Sequence, residues 1–191
     1  LRGHRNVITD VAYSPTSEQF ATSSGDDTVI IWDAITGEII HQLTGHLDSV
    51  RSVAYAPNGN QLVSASRDET LMLWDVATGT LIRTYTGHSG SVQTVDFSNS
   101  GARIISGSFD RSIIIWNAET ASIDARLIGH SDEITSVAFS PDDTTIVSTS
   151  CAERDLERTC IRGEVLLWNA ITEREIRELV GHADIVNAGE F

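Results

Sequence analysis

Residues 45–75, GHLDSVRSVAYAPNGNQLVSASRDETLMLWD, decide the fold of this chain. The stretch opens on Gly-His and closes on Trp-Asp, and the rest of the chain repeats it with changes. Gly-His occurs five times: the first four copies are 42 residues apart, and the last follows after 52. The tryptophans take the same steps, at Trp32, Trp74, Trp116 and Trp168. Such a period predicts a row of similar units, each built from a few short elements.

Four short segments in each unit read as β-strands. The first ends on an aromatic residue before a turn sequence, as residues 50–55 do before Ala56-Pro57. The third is apolar throughout, as in residues 71–74, which is typical of a strand buried on both faces. A sheet of such strands needs a neighbouring sheet on each side. The pattern therefore predicts an all-β fold, a β-propeller of four four-stranded antiparallel blades and a partial blade.

The repeats divide the chain into units of about 3–44, 45–86, 87–128 and 129–180, with a partial unit at 181–191. We interpret residues 1–191 as a single propeller segment in which residues 186–191 supply the first strand of a fifth blade. Propellers typically have 4–8 blades. We therefore expect this segment to be part of a larger ring, or to be completed by a second chain as a homodimer.

The turn before each fourth strand differs among the units. The first two units place Gly37 and Gly79 there, whereas the third and fourth place Ala121 and Glu173. Glycine adopts positive φ at little cost and other residues do not. The substitutions predict a different turn type in the third and fourth units.

Composition limits the classes of partner. The net charge is −14, with scattered acidic residues, which disfavours binding to nucleic acid or to an anionic membrane surface. No apolar run approaches the roughly 20 residues that span a bilayer, and no signal peptide is visible. Two cysteines are too few for a disulfide scaffold. We expect a cytoplasmic protein.

Gly-His, Ser-x-Asp-x-Thr and Trp-Asp at these offsets give the chain a resemblance to the WD-repeat β-propeller family. The resemblance covers nearly all of the chain, and it implies a buried polar network in each blade. The implied members are the histidines His4, His46, His88 and His130; the hydroxyls Thr22, Ser64, Ser106 and Ser148; the aspartates Asp26, Asp68 and Asp110; and the tryptophans Trp32, Trp74, Trp116 and Trp168.

The chemistry of these residue types fits a structural network. A buried indole N–H needs an acceptor, which a hydroxyl supplies, and that hydroxyl can donate to a histidine whose other nitrogen donates to aspartate. Ser, His and Asp also make up catalytic triads, but a triad occurs once beside a substrate pocket, whereas this set recurs in every unit. No metal-ligand spacing and no phosphate loop is present. We expect no enzyme activity, no metal and no cofactor.

The fourth unit carries an excess of ten residues between Ser150 and Gly163. Counting back from Trp168 places Arg162 where the turn aspartate should be, so this blade's network is left open, with Asp155 as a substitute only if the loop folds back. Cys151 and Cys160 are the two ends of the insertion, where either a disulfide or two reduced thiols are possible.

Insertions and loops on one face of a repeat protein often bind partners, and the resemblance implies that the Gly-His loops and the aspartate turns share such a face. The candidate partner-binding residues are Arg5, Gly25, Asp48, Arg67, Phe109, Asp132, Arg154 and Arg158. Arginine and aromatic side chains are enriched in interface hot spots. The predicted function is a protein-interaction scaffold for a protein or peptide partner. Two alternatives remain: a sensor or regulatory array within a larger signalling protein, or a propeller that binds a small ligand in its channel.

Overall fold

The computed structural model describes residues 2–15, 18–157, 159–179, 182, 184 and 186–189. Sixteen strands within these residues form four sheets, each of four antiparallel strands in chain order. The bounds are β1 Ile8–Tyr13, β2 Gln19–Ser24, β3 Thr28–Asp33 and β4 Ile39–Thr44; β5 Val50–Tyr55, β6 Gln61–Ser66, β7 Thr70–Asp75 and β8 Leu81–Thr86; β9 Val92–Phe97, β10 Arg103–Ser108, β11 Ser112–Asn117 and β12 Ile123–Ile128; and β13 Ile134–Phe139, β14 Thr145–Arg154, β15 Cys160–Asn169 and β16 Arg174–Leu179. Each sheet is one blade, as the repeats predict. No helix in the described part of the chain is long and apolar enough to cross a membrane.

The hydrophobic core lies between successive blades. One cluster joins blades 1 and 2, a second joins blades 2 and 3, and a third joins blades 3 and 4. The third strand of each blade supplies the middle of this core, where Ile30, Leu71 and Ile113 are all fully buried. Their uniformly apolar sequence is therefore explained by contact with a sheet on both sides.

The first strands of the blades lie next to one another and line a central channel. β1 contacts β5, β5 contacts β9, and β9 contacts β13. The four sheets do not close into a ring, so blade 1 leaves one face uncovered. Val11 is 56% exposed, although its equivalent Val53 is 4% exposed, and Tyr13 is 72% exposed against 9% for Tyr55. The residues of this face are of the kind that the other blades bury.

Residues 186–189 lie where the first strand of a further blade would lie. The Thr135 hydroxyl donates to the Val186 carbonyl at 2.6 Å, as the Thr9 hydroxyl donates to the Val50 carbonyl at 2.6 Å. The Gly189 amide reaches the Ser136 hydroxyl at 3.3 Å. Glu190 and Phe191, which complete the predicted strand, lie outside the described residues.

The prediction of a different turn type in the third and fourth units is wrong. Ala121 and Glu173 adopt φ of 59° and 60°, close to the 72° of Gly37 and the 68° of Gly79. The amide of each turn residue donates to a carbonyl four residues earlier, at 2.8–3.0 Å. Packing of the flanking strands therefore imposes the left-handed conformation even where the residue carries a Cβ atom.

The insertion of the fourth unit lengthens two strands. β14 and β15 have ten residues each, whereas their counterparts in the other blades have six. The pairing continues beyond Ser150–Glu164 through Cys151–Gly163 to Arg154–Cys160. The excess residues thus form a hairpin that extends blade 4, and we call residues 151–163 the blade-4 hairpin.

Candidate functional site

A chain of three side-chain hydrogen bonds recurs in blades 1–3. In blade 2, Trp74 Nε1 donates to Ser64 Oγ at 2.9 Å, and Ser64 Oγ lies 2.8 Å from His46 Nε2. His46 Nδ1 lies 2.8 Å from Asp68 Oδ2. The corresponding distances are 2.8, 2.8 and 3.1 Å in blade 1 and 2.8, 2.7 and 2.9 Å in blade 3. The network members of blades 1–3 named from the sequence therefore lie together.

The direction of the hydrogen bonds follows from the donors. The indole can only donate, so the hydroxyl accepts from it and gives its own proton to Nε2 of the histidine. A histidine whose Nε2 accepts that proton carries its own proton on Nδ1, which donates to the carboxylate. The histidines of blades 2–4 are 7% exposed. These groups are thus all satisfied away from water, which is the role of a scaffold.

The aspartates also accept hydrogen bonds that the sequence reasoning missed. Thr28, Thr70 and Ser112 donate their hydroxyls to Asp26, Asp68 and Asp110 at 2.6–2.7 Å. Burial alone would raise the pKa of Asp26, but bonds from the Arg5 amide and Thr28, with His4 nearby, lower it to about 2. The same balance holds the pKa of Asp68 and Asp110 well below the usual range. The last residue of the Ser-x-Asp-x-Thr motif was the sequence signal that could have predicted these hydrogen bonds.

Blade 4 uses a different carboxylate. Glu164 Oε2 hydrogen-bonds His130 Nδ1, while His130 Nε2 lies 2.6 Å from Ser148 Oγ and Trp168 Nε1 donates to that oxygen at 2.7 Å. Arg162 faces Glu153 across the hairpin, and Asp155 accepts bonds from the backbone of its own turn. Neither stands in for the aspartate. Burial lowers the pKa of His130, although the hydrogen bond that Glu164 accepts from it acts in the opposite direction.

The network fixes the loops of one face. Each turn aspartate accepts a hydrogen bond from the amide after the histidine, at 2.6 Å from Arg5, 2.9 Å from Leu47 and 3.0 Å from Ser89. The aspartate turn also bonds to the Gly-His loop, since the Arg67 amide donates to the Ser49 carbonyl at 2.9 Å. We call the surface formed by these Gly-His loops and aspartate turns the loop face. Its backbone is held in the same way in successive blades.

The turn tips of the loop face carry different side chains. Gly25 accepts a bond from Asn6 at its carbonyl, Arg67 is exposed, and Phe109 is 39% exposed. Arg5 is exposed beside the first turn, and Asp48 is exposed while its carboxylate accepts from the Ser49 amide. These candidate residues therefore lie on the loop face and at its surface.

The blade-4 hairpin is fastened at two points. Cys151 and Cys160 are joined by a disulfide with Cα atoms 5.8 Å apart. Arg154 pairs with Asp132 and lies 3.7 Å from Glu133. Although burial opposes it, the bond from Arg154 lowers the pKa of Asp132. These two candidate partner-binding residues thus bind each other; Arg158, the remaining one, lies outside the described residues.

The central channel contains a cavity of about 960 Å³ lined by the first strands. Polar side chains from equivalent positions project toward it, at Thr9, Arg51, Gln93 and Thr135. Phe109 of the loop face also lines it. Arg51 Nε donates to Gln93 Oε1 at 3.1 Å. Sequence reasoning did not single out Arg51, whose charge is unlike its three counterparts.

The next feature is the arrangement of the side chains that could bind a metal ion. Among the described residues, no group of three or more His, Cys, Asp or Glu side chains is arranged to hold a metal ion. Each His–hydroxyl pair is bonded to a buried tryptophan, so the hydroxyl is engaged with the indole. The arrangement therefore does the work of packing and loop positioning.

Comparison with known families assigns the repeats. The profile described as "WD domain, G-beta repeat" matches four segments, residues 1–33, 37–75, 79–117 and 122–155. The chain belongs to the WD40 family. WD40 repeats generally mediate protein–protein interactions as scaffolds, and WD40 propellers are typically not enzymes. A search of curated proteins finds no significant match.

A solved WD40 structure shares the fold. The chain titled "Structure of U3-55K" superposes with a TM-score of 0.85 and 24% sequence identity. The alignment covers 98% of the present chain and 56% of that chain. The present chain thus spans little more than half the length of this structural neighbour, and the likeness concerns the fold alone.

Proposed function

We propose that the chain is a protein-interaction scaffold whose loop face receives a protein or peptide partner. The supporting observation is that one repeated hydrogen-bond network holds turns with unrelated tips, Gly25, Arg67 and Phe109. A loop backbone that is held in the same way in each blade, while its exposed side chains differ, is suited to recognition of a partner. Rigid loops also lose little conformational entropy when a partner binds.

Phe109 is the strongest single pointer to a partner. Its ring is 39% exposed on a rigid turn beside the cavity, while the apolar side chains between the blades are buried. A partner that covered this ring would remove apolar surface from water, worth about 25 cal/mol per Å². Arg67 lies at the equivalent position of the adjoining blade. Aromatic rings and guanidinium groups are both common in interface hot spots.

A selection from a random peptide library tests the proposal without a named partner. Binders selected on the intact chain should lose most of their affinity for the double variant Arg67→Ala/Phe109→Ala. The matched control is Arg177→Ala/Ile176→Ala, which removes the same kinds of side chain from the exposed outer strand β16. Binders that respond to both double variants alike, or only to the control, would contradict the proposal.

The uncovered face of blade 1 supports association with a further blade, from the same protein or from a second copy. Val11 and Tyr13 are exposed there, and their equivalents in blades 2–4 are buried. Light scattering after size exclusion distinguishes the two cases for the 191-residue chain. A mass near 20.8 kDa excludes a stable homodimer. A mass of twice that value supports two chains that share one ring.

A second candidate function is small-ligand binding in the channel. The cavity of about 960 Å³ lies within the size range of ligand pockets, and its lining is largely polar. Native mass spectrometry of the purified chain would reveal a bound small molecule. A sensor array within a larger protein and a cytoplasmic location also stay proposals. Free-thiol measurement on protein taken from its own cells bears on the second, because cytosolic disulfides are rare.

A further inference from the structure

Arg51 occupies a position at which the other blades carry neutral residues. It is the second residue of β5, directly after the Gly-His loop, and it lines the cavity. Its counterparts Thr9, Gln93 and Thr135 are polar but uncharged. The neutral counterparts show that the fold does not need a cation here. An explanation for the charge must therefore lie outside the packing of the blade.

Neither Arg51 nor Arg67 has a carboxylate partner among the described residues. Among the described residues, the one side-chain bond of Arg51 runs from Nε to the amide oxygen of Gln93, and the two terminal nitrogens of its guanidinium have no partner there. No carboxylate oxygen of the described chain lies within 4.0 Å of either side chain.

Three arginines elsewhere in the chain are bonded internally. Arg103 donates to the carbonyls of Ala170 and Asp143, and Arg126 donates to Ser112 and the Gly87 carbonyl. Arg154 pairs with Asp132. Among the described residues, the terminal nitrogens of Arg51 have no such acceptor. Their donors are therefore available to a ligand.

The carboxylates of the cavity do not neutralise Arg51. Asp10 accepts bonds from the Ser52 hydroxyl and the Val53 amide, and Asp96 accepts from the Phe139 amide. Arg51 is the one cation among the described residues that line the cavity. Burial lowers the pKa of Arg51, and the like charge of Arg67 lowers it further. The Arg67 amide donates to the carbonyl of Ser49, two residues before Arg51, so the two arginines lie on adjoining segments. An anion bound by both guanidinium groups would relieve the repulsion between them.

We propose that Arg51 and Arg67 form an anion-binding subsite that receives the acidic side chain of a peptide segment, while Phe109 contacts an apolar residue beside it. This deepens the proposed function and rests on it. Guanidinium groups bind carboxylate and phosphate through paired N–H donors, so both anions fit the chemistry. The long-range field of the acidic chain opposes such a ligand. The local pair must therefore supply the attraction.

Nuclear magnetic resonance of the arginine Nε–H groups tests the subsite directly. Three probes are added to the labelled chain: inorganic phosphate, the peptide acetyl-GLELG-amide, and the same peptide with phosphoserine in place of the glutamate. Acetyl-GLQLG-amide is the neutral control. Saturable shifts of the Arg51 and Arg67 signals with the anionic peptides, absent with the neutral one, are the expected result. The two anionic peptides distinguish a carboxylate ligand from a phosphate ligand.

Charge-removing variants give the second arm. Arg51→Gln places at this position the residue that blade 3 carries there, so the fold should tolerate it, and Arg67→Gln changes an exposed tip. Each should weaken binding of the better anionic peptide roughly tenfold or more, whereas Arg177→Gln on β16 should not. Equal affinity for the anionic and neutral peptides would overturn the subsite. So would equal effects of the three variants, or shifts with inorganic phosphate alone.

Failure of the subsite and failure of the scaffold remain distinguishable. Library-selected binders that depend on Phe109 but are indifferent to Arg51→Gln overturn the anion subsite and leave the loop-face function standing. Binders that ignore both Phe109 and Arg67 overturn the proposed function itself. Thermal unfolding of each variant, followed by circular dichroism, confirms that the fold is retained before either conclusion is drawn.

Discussion

Glu164 hydrogen-bonds the ring of His130 from a strand position that the other blades give to a hydroxyl residue. Counted back from the tryptophan, Glu164 corresponds to Thr28, Thr70 and Ser112, which hold the turn aspartate. Its side chain is long enough to reach the histidine without that aspartate. One glutamate thereby replaces a pair of residues, which leaves the turn free to become a longer hairpin.

The length of Glu164 should matter more than its charge. Glu164→Ala leaves His130 Nδ1 without an acceptor and should reduce the free energy of unfolding by about 1–3 kcal/mol. Glu164→Gln keeps the reach and should cost less than Glu164→Asp, which does not. Denaturant unfolding of the three variants gives the order. A smaller loss for aspartate than for glutamine would contradict this account.

The hydroxyl that joins the tryptophan to the histidine should contribute measurably to the stability of the blade. Ser64→Ala leaves the Trp74 N–H and His46 Nε2 unpaired in a fully buried place. The expected loss of unfolding free energy is about 1–3 kcal/mol. Ser89→Ala, at an exposed loop position, is the matched control and should change it little. Equal losses in the two variants would show that the network adds no stability.

Acid should weaken the blades through their aspartates. The pKa of Asp68 lies well below its ordinary value of 3.8 in the folded chain, so the unfolded chain binds more protons as the pH falls. The stabilisation is therefore complete above about pH 4 and is lost progressively below it. As the pH is lowered from neutral to acid, the urea midpoint of unfolding should fall less steeply for Asp68→Asn than for the unaltered chain. Asp124→Asn, on an exposed strand, should decline like the unaltered chain.

The turn at Ala121 should accept glycine with a gain in stability. Ala121 holds a φ of 59°, which strains a residue with a Cβ atom. Ala121→Gly should raise the free energy of unfolding by about 0.5–1 kcal/mol, the strain relieved exceeding the entropy that glycine adds to the unfolded chain. Gly37→Ala, at the equivalent turn with φ of 72°, should lower it by a similar amount. Thermal unfolding checks both signs, and a loss in both variants would contradict the argument.

Reduction should loosen the blade-4 hairpin without unfolding the blades. The Cys151–Cys160 bond closes a short loop, for which chain entropy predicts a local stabilisation of about 2–3 kcal/mol. Dithiothreitol should therefore speed tryptic cleavage within the hairpin several-fold, read by mass spectrometry. The double variant Cys151→Ser/Cys160→Ser should be cut as fast without reductant. No change on reduction would show that the Arg154–Asp132 pair holds the hairpin alone.

The sequence was sufficient for the blades because their signals are local and repeated. Every strand of blades 1–3 follows from the apolar runs and turn residues, and the His–hydroxyl–Trp chain follows from fixed offsets. The carboxylate of blade 4 did not follow. Counting back to Arg162 assumed that the turn keeps its register, whereas the insertion continues the strands and moves the turn away.

Two further features depended on tertiary structure. Ala121 and Glu173 keep the glycine-type turn because the strands on either side fix the chain path, which outweighs the local preference of the residue. Arg51 lies in a run that reads as an ordinary strand, and only the assembled channel shows that its guanidinium has no carboxylate partner among the described residues. Strand pairing within a blade decided the first, and the assembly of several blades decided the second.

The Thr9–Val50 and Thr135–Val186 hydrogen bonds recur at the first and last boundaries between units. Each unit therefore bonds to the next through its innermost strand, and stability is shared between adjoining pairs, as in a one-dimensional lattice. An inner blade is held on two sides, while an outer one is held on fewer. Melting should accordingly proceed inward from the margins, so that blades 2 and 3 keep the slowest-exchanging amides.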